Sequence, residues 1–370
     1  MSELVLITGG AGFIGSHLAI RLVEEGYRVR VLDNLDEQVH GKLGWPGHLP
    51  EGIECIKGDI RNSIQVEEAL QGVGAIFHFA AAVGVGQSMY RISHYTDVNN
   101  GGTAVLLEAL TRQPVKKLVV ASSMSVYGEG CYCDSQGNLY APPERTGEML
   151  RTGQWELRQQ QEELQPVVTP ENKTPSPSSV YALSKYDQEK MSLMIGAAYN
   201  IPTTALRFFN IYGPYQSLSN PYTGVLAIFA SRFLNGKAPV IFEDGRQRRD
   251  FISVHDITRS CLLALESSKS DGEVFNIGSG KNYSINEIAA KVGEVLGCSD
   301  LQPQITGEYR VGDIRHCFAD IGKAEALLDY RPRVSLEEGL GELAQWLQDQ
   351  SSVDRVEIMR SELTSRGLSL

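Results

Sequence analysis

The chain has 370 residues and a formal net charge of −11, which gives room for one large or two intermeshed domains and excludes a general polyanion-binding surface, because nucleic acid or an anionic membrane normally demands a basic face. Its longest apolar run, AIFHFAAAVGVG at 75–86, falls short of the roughly 18 residues needed to cross a bilayer. No secretory leader is evident before LVLIT, so a cytoplasmic protein with neither nucleic-acid nor membrane partners is expected.

In chain order, LVLIT, FIGSHLAIRLVEE and RVRVLD read as strand, helix and strand, and the alternation returns in AIFHFA, TAVLLEAL, KKLVVASS and TTALRFF. Strands joined this way imply a parallel sheet covered on both faces. Residues 130–178 are rich in Gln, Glu, Pro and Thr and read as a solvated surface excursion. Beyond residue 210 the rhythm loosens, with helices expected at about 223–235, 284–297 and 336–348. HDITRSCLLALE and GEVFNIG read as a further helix and strand that return to the first sheet. Six cysteines are scattered along the chain, which suits reduced thiols. Cys131 and Cys133 form a C-x-C without a second ligand pair, so no metal site is expected.

Gly9, Gly12 and Gly15 sit between the first strand and first helix. Glycine lets a backbone approach a pyrophosphate closely, and the helix N-terminus offers it free N–H groups and partial positive charge. Asp33 ends the next strand, about 20 residues on, where a carboxylate can accept from both ribose hydroxyls of an adenosine. Its charge opposes a 2′-phosphate, and neither Asn34 nor Leu35 is an arginine, so NAD is expected over NADP. Asp59, in IKGDI, is either an acceptor for the adenine amino group or the cap of the helix near residue 63. The expected fold is α/β: a Rossmann-type doubly wound parallel sheet with a smaller C-terminal α/β substrate lobe. The first domain takes 1–208 and about 254–277, the second 209–253 and about 278–350, with 351–370 as an extension.

SSVYALSK places Tyr181 and Lys185 one helical turn apart on one face. A phenol is a weak base at neutral pH, and a fixed ammonium nearby favours its phenolate. KKLVVASSMSVYG ends a strand in Ser122 and Ser123, at the edge where ligands bind in open α/β sheets. Serine, tyrosine, lysine and an upstream glycine-rich loop together make a hydride-transfer site.

These motifs, in this order, resemble the extended short-chain dehydrogenases/reductases, in particular the nucleotide-sugar epimerases and dehydratases. The resemblance runs from residue 3 to about 348. It implies NAD contacts from Gly9, Gly12, Phe13, Ile14 and Gly15 in TGGAGFIGSHL, from Asp33 and Asn34, and from Asp59 and Ile60. It further implies Phe79, Ala80, Ala81 and Val83 in FHFAAAVGVGQS, Asn99 in DVNNGGT, and Ser122, Tyr181, Lys185 and Phe208 nearer the nicotinamide. By the same resemblance Ser123, Tyr181 and Lys185 are catalytic. Ser123 and Asn210 meet the sugar, Arg249 and Arg310 the diphosphate, and Asp313 the nucleoside sugar. A homodimer through the helices starting near Asp97 and Val180 is expected.

Relatives that dehydrate sugars carry an Asp-Glu pair after the catalytic hydroxyl, and the decarboxylases keep a Glu there. This chain has Met124 and Ser125, which suits epimerisation at C4 through a transient 4-keto sugar. Tyr127 and Tyr181 lie 54 positions apart, much farther than is usual in the family, and the extra segment could cover the sugar. Together with AAAVGVGQSMY, SNPYTGVLAIFASR and GDIRHCFAD, in which Cys317 stands where some UDP-hexose epimerases have tyrosine, this is most similar to the bacterial dTDP-L-rhamnose 4-epimerases. A UDP-hexose or UDP-uronate 4-epimerase, a dehydratase or reductase, and a non-catalytic NAD sensor are the alternatives.

Overall fold

Each residue of Leu4–Thr8 (β1) is buried, as a central strand of a doubly covered sheet requires. The computed structural model describes residues 3–41 and 44–369. After β1 come α1 (Phe13–Glu24), β2 (Arg28–Asp33), β3 (Glu54–Lys57), α2 (Ser63–Leu70) and β4 (Ala75–His78). A π-helical turn at Thr96–Gly101 leads into α3 (Gly102–Arg112), followed by β5 (Lys117–Ser123), α4 (Val180–Tyr199) and β6 (Thr203–Phe208). Then follow α5 (Val225–Leu234), α6 (Val254–Glu266), β7 (Val274–Ile277), α7 (Ile285–Val295), α8 (Leu336–Leu347) and α9 (Val356–Ser365).

The main sheet has the order β7-β6-β5-β4-β1-β2-β3, and every pair in it is parallel. The pleat splits β1 between two cores. Val5 and Ile7 pack with Leu18 and Leu22 of α1 and Ile257 and Cys261 of α6, whereas Leu6 packs with Val66 of α2 and Leu106 and Leu110 of α3. The chain reverses direction between β3 and β4, so the loops after β1 and β4 diverge and open a crevice at the carboxyl ends of the strands. As expected, α6 and β7 return to this sheet, β7 pairing with β6.

α5, α7 and α8 gather around a separate core that includes Phe229, Phe233, Val292 and Leu343. Capping boxes at Ser284/Glu287 and Ser335/Glu338 start α7 and α8, satisfying N–H groups that would otherwise lack partners. All three helices lie where the sequence places them.

The 130–178 segment differs from expectation. It is a folded module in which strands 131–133, 139–140 and 165–167 form an antiparallel sheet and Tyr132, Leu157 and Leu164 make a small core. Backbone bonds link it to 316–320, and charge pairs, invisible in composition, join it to the second lobe. Arg315, fully buried, donates to Glu156 of the insertion at 3.0 Å and to Glu243 and Asp244 of the second lobe at 2.8 and 2.7 Å. Arg145 of the insertion pairs with Glu243 at 2.8 Å.

The C-terminal segment is ordered as well. α9 packs through Met359 and Leu363 against Tyr90, Tyr222 and Val240. The chain then forms a bridge between Ser369 and Arg310.

Candidate active site

The residues of the cofactor loop fit a dinucleotide. Gly9 has φ +71°, and a Cβ there would stand 2.7 Å from the Ala80 amide nitrogen, so only glycine is accommodated without a shift. Gly12 caps α1 without any side-chain bond, which leaves the helix N–H groups available to phosphate. Asp33 is buried at the end of β2; its carboxylate accepts from Ala11 N at 3.0 Å and Leu35 N at 2.9 Å, with His40 Nε2 at 3.5 Å. His40 was not anticipated, and no motif marks it.

Asp59 is held by Arg61 through Nε at 2.9 Å and Nη2 at 2.6 Å. The capping alternative is corrected: Asn62 caps α2, accepting from Ile64 N and Gln65 N. Ile60 is buried against Gly102. Phe79 meets Phe208 edge-on at 6.1 Å, and Phe208 stands opposite Ser123 in the β6–β5 register. Ala80 N donates to Thr8 Oγ1 at 3.2 Å, while Val83 is half exposed and its carbonyl accepts from Tyr95 OH at 3.0 Å. Phe13, Ile14, Asn34 and Ala81 are partly or fully accessible beside these groups.

Asn99 is fully buried and ties backbone to helix. Its Oδ1 accepts from Ala82 N at 2.7 Å, and its Nδ2 donates to Ala82 O at 3.1 Å and Ser184 Oγ at 2.8 Å. Ser122 is anchored through its side chain within the protein. Its hydroxyl donates to Glu189 at 2.7 Å, and Glu189 forms a bidentate pair with Arg207 at 2.6 and 2.9 Å. That buried pair joins α4 to β6, and removing one partner would leave the other charge unpaired.

Tyr181 is set by two serines. Ser179 caps α4 by accepting from Ala182 N at 3.1 Å, and Ser88, from the loop after β4, accepts from Tyr181 N at 3.0 Å. Ser123 Oγ accepts from Ser125 N at 3.2 Å and Ser125 Oγ at 2.9 Å, and its own proton is not used in either bond. Burial pushes the Tyr181 pKa up, and the neighbouring Ser123 hydroxyl opposes this. Lys185 is likewise pushed down to about 7 by burial, with Glu189 pulling the other way. Desolvation is the largest influence on both groups.

Lys185 enters a buried chain that the sequence did not reveal. Its Nζ donates to Gln188 Oε1 at 2.8 Å, and Gln188 Nε2 donates to Thr103 Oγ1 at 2.8 Å. Thr103 Oγ1 also meets His78 Nε2 at 2.9 Å, and Thr8 Oγ1 lies 2.8 Å from His78 Nδ1. Burial, then the Lys185 charge, lowers the His78 pKa to about 3, keeping that imidazole neutral. The Lys185–Gln188 spacing of three was the available signal.

On the sugar side, Asn210 Oδ1 is buried with no partner among the described residues, an acceptor suited to a ligand. Arg249 donates to the carbonyls of Arg248 and Arg315 through Nη1 and of Ile314 through Nη2, leaving Nε and one Nη2 hydrogen free to bind. Arg310 stacks on Phe242 at 4.6 Å and pairs with Asp313 at 2.7 Å. The structure thus brings Arg249, Arg310 and Asp313 to one segment, with Asp313 facing an arginine. Cys317 is buried in a cluster with Met124 and Phe209, its Sγ 3.8 Å from Thr169 of the insertion, so it shapes the wall from beneath.

The profile of the NAD-dependent epimerase/dehydratase family matches residues 5–278. The chain belongs to this family. It is 34% identical over 355 residues to the dTDP-L-rhamnose 4-epimerase of Burkholderia thailandensis, covering 94% of this chain and 95% of that one. Among solved structures it is similar to the UDP-glucose 4-epimerase of Thermotoga maritima with UDP-glucose, at 32% identity and TM-score 0.77, covering 94% and 99% of the two chains. The UDP-glucuronic acid 4-epimerase of Bacillus cereus, in complex with UDP-glucuronic acid and NAD, gives 29% identity, TM-score 0.77 and the same coverage. The chain is an isomerase, an NAD-dependent nucleotide-sugar 4-epimerase.

Proposed function

We propose that the substrate is a dTDP-linked 6-deoxyhexose, dTDP-L-rhamnose, inverted at C4 to its talose epimer. The observation that carries the C4 reading is the neighbourhood of Ser123. Met124 there is buried in an apolar cluster and Ser125 is bonded to Ser123 itself, so the two positions after the hydroxyl hold no carboxylate to drive loss of water. The choice of sugar rests on the likeness to the dTDP-L-rhamnose 4-epimerase and on the insertion docked beside Arg310 and Asp313.

NAD, when bound, takes up and returns the hydride at the sugar C4, and its oxidised ring adds a positive charge that favours a phenolate. Tyr181 then accepts the proton of the 4-hydroxyl, with the Ser123 hydroxyl bridging to it. Lys185, held by Gln188, lies one turn along to stabilise that phenolate and to donate to a ribose. Asn210 Oδ1 accepts from the sugar, while Arg249 and Arg310 receive the diphosphate. Turning of the 4-keto sugar between the two transfers inverts C4. In this reading Asp33 selects NAD, and the Rossmann domain and second lobe divide as the sequence suggests.

Leu183 and Met194 of α4 are about half exposed or more, which supports a homodimer in which α3 and α4 pack against their copies. No helix among the described residues is long and apolar enough to cross a membrane; the compartment proposed is the cytoplasm.

A second reading, a UDP-hexose or UDP-uronate 4-epimerase, draws on the two solved structures above. Incubating the purified protein separately with dTDP-L-rhamnose, UDP-glucose and UDP-glucuronate, and resolving the products by NMR, decides between them. A new dTDP-6-deoxy sugar supports the proposal, and conversion of a UDP-sugar alone replaces it with the second reading.

A further inference from the structure

Three side-chain amides from distant segments meet at one point. Gln38, in the short helix Glu37–His40 after β2, and Gln87, in the loop after β4, exchange bonds in both directions: Gln38 Nε2 to Gln87 Oε1 at 3.2 Å and Gln87 Nε2 to Gln38 Oε1 at 3.1 Å. Gln38 Nε2 also donates to Asn220 Oδ1 at 3.3 Å, in the segment leading to α5. Gln87 and Asn220 are each 8% exposed, so these contacts are shielded from water on their side and partly open on the Gln38 side.

The sheet order fixes what lies beneath them. β1 stands between β4 and β2, so a link from the loop after β2 to the loop after β4 passes over the carboxyl end of β1. That end carries Gly9 and Gly12, where the pyrophosphate belongs. We propose that Gln38, Gln87 and Asn220 form a strap that closes over bound NAD and retains it between turnovers.

Two of the three amides are anchored from behind. Gln87 Oε1 accepts from Tyr95 OH at 3.2 Å, and Asn220 Oδ1 accepts from Tyr222 N at 3.1 Å. Their neighbours Tyr90 and Tyr222 both donate to Glu362 of α9 at 2.8 Å, so the tail ties the two posts together. Gln38 rides on a four-residue helix with no buried residue, and its backbone N–H donates to the exposed Asp36 side chain at 2.8 Å. The strap therefore opens at Gln38. Because His40 on the same short helix approaches Asp33, opening there also disturbs the adenosine end. Neutral amides suit a latch, since each bond lost in opening is exchanged for one with water. An enzyme that regenerates NAD in every cycle gains nothing from releasing it.

The test uses the full-length protein as purified with its cofactor. NAD release is timed by trapping free NAD with an excess of a scavenging dehydrogenase, and NAD content is measured by heat release and chromatography. Gln38→Ala is expected to release NAD on the order of tenfold faster than wild type. Asn220→Ala should also accelerate release, and because it also frees the Tyr222 N–H, the unfolding temperature of NAD-free Gln38→Ala, which should match wild type, is the control for fold. Gln38→Glu, which keeps shape and removes both Nε2 donations, gives the same answer should the alanine variant fail to fold. Release as slow as wild type in these variants, or a wild type that holds no NAD through dialysis, overturns the proposal.

Discussion

Lys185 Nζ donates to Gln188 Oε1 across 2.8 Å, one turn farther along the helix that carries Tyr181. The amide gives the buried ammonium a dipole and no countercharge, and burial lowers its pKa to about 7. The folded, cofactor-free protein therefore binds fewer protons than the unfolded chain between about pH 7 and the ordinary lysine value of about 10.4. The cost of charging Lys185 is fully present below about pH 7 and is relieved as pH rises toward that ordinary value. Lys185→Met removes it. The stability gained by the substitution, from urea unfolding of NAD-free protein, is expected to be larger at pH 6 than at pH 9 by on the order of 2 kcal/mol. A pH-independent difference would show that Lys185 is not desolvated.

Asp33 predicts the cofactor preference. Its buried carboxylate already accepts two backbone N–H groups, so it stays beside the loop and opposes a 2′-phosphate. Titrating stripped protein should give at least about tenfold tighter binding of NAD than of NADP, a difference of about 1.4 kcal/mol. Equal affinities would remove this role.

Glu156 predicts how the insertion is held. Burial alone would raise its pKa, but hydrogen bonds from His316 and Arg315 overrule that and hold it at about 2. A depressed carboxylate stabilises fully above its unfolded value of about 4.3 and loses that contribution as pH falls toward 2. Docking should thus persist through neutral and mildly acid pH. Glu156→Gln is expected to speed proteolysis within 130–178 at pH 7, leaving the rest of the chain resistant; an unchanged rate would mean that the small apolar core holds the module by itself.

The C-terminal segment predicts an effect on substrate rather than on chemistry. Leu368 O accepts from Val311 N at 2.9 Å, beside Arg310, and Glu362 ties Tyr90 to Tyr222. With NAD supplied in excess, so that the tail's link to Tyr90 and Tyr222 does not limit cofactor occupancy, ending the chain after Gln350 should raise KM for the nucleotide sugar by on the order of tenfold, with a smaller change in kcat. A fall in kcat at constant KM would contradict this.

Much of this was legible because some residue types allow few alternatives. Gly9 is marked by the backbone approach of Ala80, Asp33 by its place at a strand end, and Tyr181 and Lys185 by helical spacing. What stayed hidden depends on contacts between residues far apart in the chain. Burial raises the Tyr181 pKa and lowers that of Lys185, and Glu189 accepts from Ser122 from another element. The polar composition of 130–178 concealed a module whose charges are met by Arg315 and Glu243 from the other lobe. Gln38, Gln87 and Asn220 carry no motif; only the strand order brings them together.

The account's central claim is that C4 is inverted by removal and return of the same hydride, with Tyr181 moving the hydroxyl proton. It is tested most directly with dTDP-L-rhamnose carrying deuterium at C4, incubated in ordinary water and followed by NMR and mass spectrometry. The account predicts a talose epimer that retains its deuterium at C4, formed at least about 10²-fold more slowly by Tyr181→Phe with NAD still bound. Loss of the label to water, or near-normal conversion by Tyr181→Phe, would contradict it.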